Sequence, residues 1–190
     1  KGLIASSKYC LWNQREFSSA LAQNLDEIKL CLLDLESKGY VLLARKEPYL
    51  IAIKSEDAAS IKNKLIKQLE KYHSTFPLKI GAHRQEIRQK IVPHIEDDLL
   101  DWMLGELEEE QKIESGEYGI RIVGFEIVFS NEDTDFANKI EELVKSANWS
   151  SLLDADALAV KLKVSIKPLQ SIITALQHLG TIISISDGLL

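Results

Sequence analysis

The sequence predicts an α+β, mainly helical fold built of tandem modules, each with three helices closed by a β-hairpin. Three observations predict it. The segments LESKGYV (35–41), LEEEQKI (107–113) and LQHLGTI (176–182) share one pattern: the last turn of a helix running into a β-branched residue, Val41, Ile113 or Ile182. Their anchoring leucines, Leu35, Leu107 and Leu176, stand 72 and 69 residues apart. Upstream of each lies an apolar pair at i,i+4 spacing (Phe17/Leu21, Ile87/Ile91, Leu158/Leu162), which places both members on one helix face. Phe17 and Leu158 precede their leucines by 18 residues, and Ile87 precedes its own by 20.

These landmarks divide the chain into modules 1–55, 56–130 and 131–190. Module one reads REFSSALAQNL, then DEIKLCLLDLESKG, then YVLLARKEPYLIAIK, with ARKEP separating two strands. Too few residues precede Phe17 for an opening helix, so this module is expected to be incomplete at its N-terminus. Module two opens with the helix SEDAASIKNKLIKQLEKYH and passes through a turn and a short strand, PLKI. HRQEIRQKI, EDDLLDWMLGELEEE and the hairpin IESGEYGIRIV follow. Module three opens with NEDTDFANKIEELVKSA and continues into DADALAVKL, where Asp154 is the expected N-cap. The longer helix after that turn is SIKPLQSIITALQHLG, capped by Ser165 and stopped by Gly180. Ile166, Leu169, Ile172, Ile173, Leu176 and Leu179 form its apolar stripe. TIISISDGLL then reaches an Asp-Gly turn with too few residues for a returning strand, so the third wing is expected to be incomplete. Three helices and a hairpin wing make a winged helix-turn-helix module.

Composition narrows the class. The balance of 45% hydrophobic and 27% charged residues is that of an ordinary globular protein. No apolar run reaches membrane-spanning length, and the N-terminus lacks the order of a signal peptide. Cys10 and Cys31 have no paired spacing and are read as buried thiols in a reducing, cytoplasmic compartment. The first residue is Lys rather than Met, so a piece of something larger is expected.

Within module two, Tyr72-His73, Pro77-Leu78, Gly81 and Glu86-Ile87-Arg88 form a string of the kind YH…PL…G…ELR. This string resembles the signature of the C-terminal winged-helix arm of the bacterial selenocysteine-specific translation elongation factors, the SelB family. Ile87 stands where the family has Leu, and Ala82 follows the glycine. The resemblance extends over essentially the whole chain, through the type and order of its modules. It implies a parent protein with a GTPase body that binds GTP, with Mg, and selenocysteinyl-tRNA on the ribosome. It also implies an arm of four winged helices whose last member grips the hairpin of a selenoprotein mRNA. This chain has no G-x-x-x-x-G-K-[ST] phosphate loop, so the resemblance assigns it the linking part of that arm, without a cofactor of its own.

Charge and residue type agree with a linking role. A winged helix that reads nucleic acid presents a basic or hydrogen-bonding third helix, yet residues 96–110 carry eight acids and no base. The outward positions of module three's last helix (Lys167, Gln170, Ser171, Thr174, Gln177) are the least hostile to phosphate. The modules carry about +2, −5 and −3, within a net charge of −6, unlike a domain that coats nucleic acid. The candidate phosphate contacts are Arg84, Arg88 and Lys90 on one helix, and Lys161, Lys163 and Lys167 around the turn of module three. His73, His83 and His94 are spaced by ten and eleven, unlike a metal site, and read as capping or packing residues. The acidic run 106–110 reads as a solvated face, and Trp12, Trp102 and Trp149 as packing residues. Gly116-Glu117-Tyr118-Gly119 matches the GXXG pattern of an RNA clamp but sits in a hairpin tip, so it reads as a plain turn. No nucleophile has a base beside it, so no enzymatic activity is expected. The competing reading is a transcription regulator or protein-interaction scaffold made of the same modules.

Overall fold

The structure, a computed structural model, describes residues 12–46, 49–91, 97–147 and 153–183. In chain order its elements are β1 (Trp12–Asn13), α1 (Gln14–Leu21), α2 (Leu25–Ser37), β2 (Val41–Lys46), β3 (Tyr49–Lys54), α3 (Ser55–Thr75) and α4 (Arg84–Ile91). Then follow α5 (Asp97–Glu109), β4 (Ile113–Gly116), β5 (Gly119–Ile122), α6 (Asn131–Ser146), α7 (Ala155–Leu162) and α8 (Ile166–His178). The α+β, mainly helical class is as expected.

The repeat is carried by element length and by the way helices end. Helices α1, α4 and α7 each have 8 residues, and α2, α5 and α8 each have 13. After each longer helix one residue turns left-handed: Gly39 (φ 73°), Gln111 (φ 55°) and Gly180 (φ 71°). The next N–H, from Tyr40, Lys112 or Thr181, then donates to the carbonyl of Leu35, Leu107 or Leu176 at 3.0, 2.9 and 3.0 Å. This is the Schellman closure, which satisfies carbonyls that a helix end leaves open. Each anchoring leucine thus accepts the closing bond with its carbonyl and buries its side chain, and Val41, Ile113 and Ile182 are buried just beyond.

The helix starts also follow side-chain chemistry. Asp154 accepts from the Ala157 N–H at 2.7 Å, as expected of its N-cap. Ser165 occupies the predicted N-cap position of α8, but its side chain makes no capping bond. Asn13 with Glu16, and Ser130 with Asp133, form reciprocal capping boxes at the starts of α1 and α6.

Several sequence expectations need correction. Phe17, Ile87 and Leu158 are buried, but Leu21 is 48% exposed and Leu162 only partly buried. Both stand last in their helices, beside the left-handed Ala22 and Lys163, where the chain leaves the packed face. The stripe of α8 is narrower than expected: Leu169, Ile172, Ile173 and Leu176 are buried, whereas Ile166 and Leu179, at its two ends, are exposed. Cys31 lies at the flank of the Ile28/Leu32/Leu35 stripe and is exposed. Strand β2 extends into ARKEP, through Lys46, whereas β3 starts directly after it, at Tyr49. The side chains of Ile91 and Trp12, and all of Cys10, His94, Trp149 and the final Asp-Gly turn, lie outside the described residues.

Backbone contacts separate two compact units: Lys1–Gln68 with Gln85–Glu114, and Leu69–Arg84 with Ser115–Leu190. This division does not follow the 56–130 segment, whose residues contribute to both.

In unit one, β1 and β2 flank β3 in an antiparallel sheet, with Trp12 opposite Ala52 and Leu43 opposite Ala52 on the other edge. Phe17, Ile28, Leu32, Leu35, Val41, Leu43, Leu50 and Ala52 form its core cluster. The buried Gln14 amide donates to the Leu25 carbonyl at 2.7 Å and accepts from the Leu50 N–H at 3.3 Å, joining α1, α2 and β3. The acidic run is more than a solvated face. Glu106 of α5 and Glu110, directly after it, hold Lys62 of α3 at 3.1 and 2.7 Å. Burial alone would lower the Lys62 pKa, but the bonds from Glu110 and Glu106 outweigh it and raise the pKa. Trp102 donates to Glu106 at 3.1 Å.

In unit two, Ile140, Leu158, Leu169, Ile172, Ile173, Leu176 and Ile182 form the core, with Leu78 packed against it. The strand preceding α4 is not PLKI. Pro77-Leu78 makes a turn, and the pairing residue is Ala82, which exchanges both backbone bonds with Ile120 at 2.9 and 3.0 Å. Ala82 therefore stands to β5 as β1 stands to β3: a short piece just before the eight-residue helix pairs with the second wing strand.

Candidate functional site

The stretch from Tyr72 to His83 is built almost wholly for joining. Tyr72 is buried and packs on Phe76, with ring centroids 5.0 Å apart. His73 is buried and stacks on Phe125 at 3.7 Å, and its Nε2 accepts from the Ile122 N–H at 3.3 Å. The Pro77 carbonyl accepts from the Val128 N–H at 3.1 Å. A Cβ on Gly81 would lie 3.0 Å from the Gly119 carbonyl carbon, tighter than most such contacts, so a side chain there would make one of the two backbones give way. Tyr72, His73, Leu78 and Gly81 of the signature are thus packing residues of the fold.

Accepting a bond at Nε2 requires the neutral His73 ring. Its pKa is lowered, first by burial and then by the Arg121 charge. The unfolded chain therefore takes up a proton near the ordinary histidine value, about 6.5, before the folded chain does. Stability contributed by His73 is complete above that pH and is lost as pH falls through it toward the lower folded value. Urea unfolding at pH 7.5 and at pH 5.5 should show the loss, and His73→Gln should make the two midpoints more alike.

Against this joining stretch, the wing tip and the polar face of α8 enclose a cleft of about 470 Å³, wholly within unit two. Its cations are Lys79, 5.0 Å from the Phe76 ring centroid, and Lys167, exposed on the first turn of α8. Its aromatic wall is Tyr118 against His178, centroids 3.9 Å apart and tilted by 40°. Burial lowers the His178 pKa, against the opposing charge of Glu117, so this ring favours its neutral form. Gln170, Ser171 and Thr174 line the floor.

The six basic candidates fall on both compact units: Arg88 and Lys90 belong to unit one, and Arg84, Lys161, Lys163 and Lys167 to unit two. Arg84 and Arg88 are both exposed on α4, and Arg88 donates to Asp97 at 2.9 Å across a surface ion pair. Lys90 is on the same helix, with its side chain outside the described residues. Lys161 and Lys163 are exposed at the end of α7. Only Lys167 lines the cleft, where its companion is Lys79, which the sequence reading did not single out. The GXXG segment was also underread: Glu117 and Tyr118 form the two-residue turn, yet Tyr118 reaches the last helical residue, His178. No group of three or more His, Cys, Asp or Glu side chains suited to a metal occurs among the described residues. None of the described helices is long and apolar enough to cross a membrane.

Residues 66–117 match the family model described as elongation factor SelB, winged helix, the second such domain. This region is a SelB-like winged helix. The match begins in α3 and runs through Tyr72-His73, Gly81, α4, α5 and β4 to the wing tip, so it contains every signature residue placed above. Compared with curated proteins, the chain finds no match.

Proposed function

We propose that the chain is part of the winged-helix arm of a cytoplasmic, selenocysteine-specific translation elongation factor. The observation that carries this reading is the SelB match over residues 66–117. In this reading, modules 1–55, 56–130 and 131–190 span the distance between a GTPase body and a further module that grips the selenoprotein mRNA hairpin. GTP, Mg and selenocysteinyl-tRNA belong to the body, and no enzymatic step belongs to this chain. The acidic α5 supports a spacer role, since seven of the eight acids at 96–110 lie on it or directly follow it and would repel a phosphate backbone.

The chain alone should therefore bind a selenoprotein mRNA hairpin only weakly, in the non-specific range of about 10⁻⁴ to 10⁻⁶ M. Fluorescence anisotropy across a salt series measures this. A nanomolar complex that resists salt would transfer the reading of the hairpin to these modules and end the spacer assignment.

A further inference from the structure

We propose that the cleft of unit two binds an unpaired nucleotide of a single-stranded RNA, with the base on Tyr118 and the phosphates on its two sides held one by Lys79 and one by Lys167. The inference rests on the cleft's own chemistry and holds whichever larger protein the chain serves. A volume of about 470 Å³ is that of a site for a small organic group, and it lies within the usual range for such sites. The aromatic wall is preformed: Tyr118 packs on His178 at 3.9 Å, yet 43% of Tyr118 remains exposed, as a stacking platform requires.

The charge of the lining is inverted relative to the chain. Two lysines face one carboxylate, Glu117, in a protein of net charge −6. Neither lysine makes an ion pair among the described residues, so both retain their charge for a phosphate. Between them, Gln170, Ser171 and Thr174 offer an amide and two hydroxyls, groups able to pair with a ribose hydroxyl and so to favour RNA over DNA. Aromatic platforms combined with cations, without a base-reading helix, are the usual means of holding single strands.

The test is anisotropy of the whole chain with a short labelled oligoadenylate RNA over a range of salt. Binding is expected at about 10⁻⁴ to 10⁻⁶ M, with a log–log salt slope of about −1.4 for two phosphate contacts on a single strand. Tyr118→Ala should weaken binding by about 5- to 100-fold. Lys167→Gln, at an exposed helix position that does not endanger folding, should reduce the slope by about 0.7. Binding by both variants equal to that of the parent chain would overturn the proposal, as would no binding by the parent chain. Equal binding of oligodeoxyadenylate would overturn the assignment to RNA. Displacement of the strand by comparable concentrations of AMP would make a free nucleotide the ligand and overturn the assignment to a strand.

Discussion

Replacing Ile87 by alanine is expected to destabilise the protein by about 2–5 kcal/mol, as core truncations do. Arg88→Ala, one position along, is expected to cost no more than about 0.5 kcal/mol. The contrast follows from the face each side chain takes on α4. Ile87 is 1% exposed, so removing its outer carbons leaves a cavity that rigid neighbours cannot fill. The Arg88 side chain is 54% exposed, and its partner Asp97 48%, so water replaces that ion pair at little cost. Urea or thermal unfolding of the two variants reads the difference directly. If the arginine change proved the damaging one, the register of α4 and the repeat aligned on it would both fail.

Gly119→Ala is expected to be comparably severe. Gly119 has φ 112°, outside the region open to residues with a side chain, at a cost of about 1–3 kcal/mol. A Cβ there would also lie 2.6 Å from the Ala82 carbonyl oxygen, which accepts the Ile120 N–H. The added methyl must push apart the pair of bonds joining Ala82 to β5, adding about 1–3 kcal/mol of overpacking. Gly116→Ala, at the other end of the same turn, meets nothing within 4 Å and should be far milder. Equal melting of the two variants would contradict the close backbone approach.

How much was legible depended on whether the determining contact was local. The anchoring leucines were found from spacing alone, because a Schellman closure needs only a helix end, a left-handed residue and a buried side chain at fixed offsets. Gln111 shows the limit: without a glycine, the closure after α5 carried no turn signal, yet Lys112 still donates to Leu107. Leu21 misled because i,i+4 spacing gives a shared face only while the helix continues, and Ala22 ends it. PLKI looked like a strand because its apolar residues resemble one, whereas the pairing residue was chosen by two glycines, Gly81 and Gly119, about forty positions apart. The candidate site was least legible. The contacts between Tyr118 and His178, and between Lys62 and the carboxylates of Glu106 and Glu110, join residues 44 to 60 positions apart, beyond any local pattern.

The reading of this chain as an elongation-factor arm is tested most directly by the reading frame that encodes it. Sequencing the gene upstream of Lys1 should reveal, in the same frame, a GTPase with a G-x-x-x-x-G-K-[ST] phosphate loop. A start codon within a few tens of residues of Lys1, with no such loop, would contradict the account.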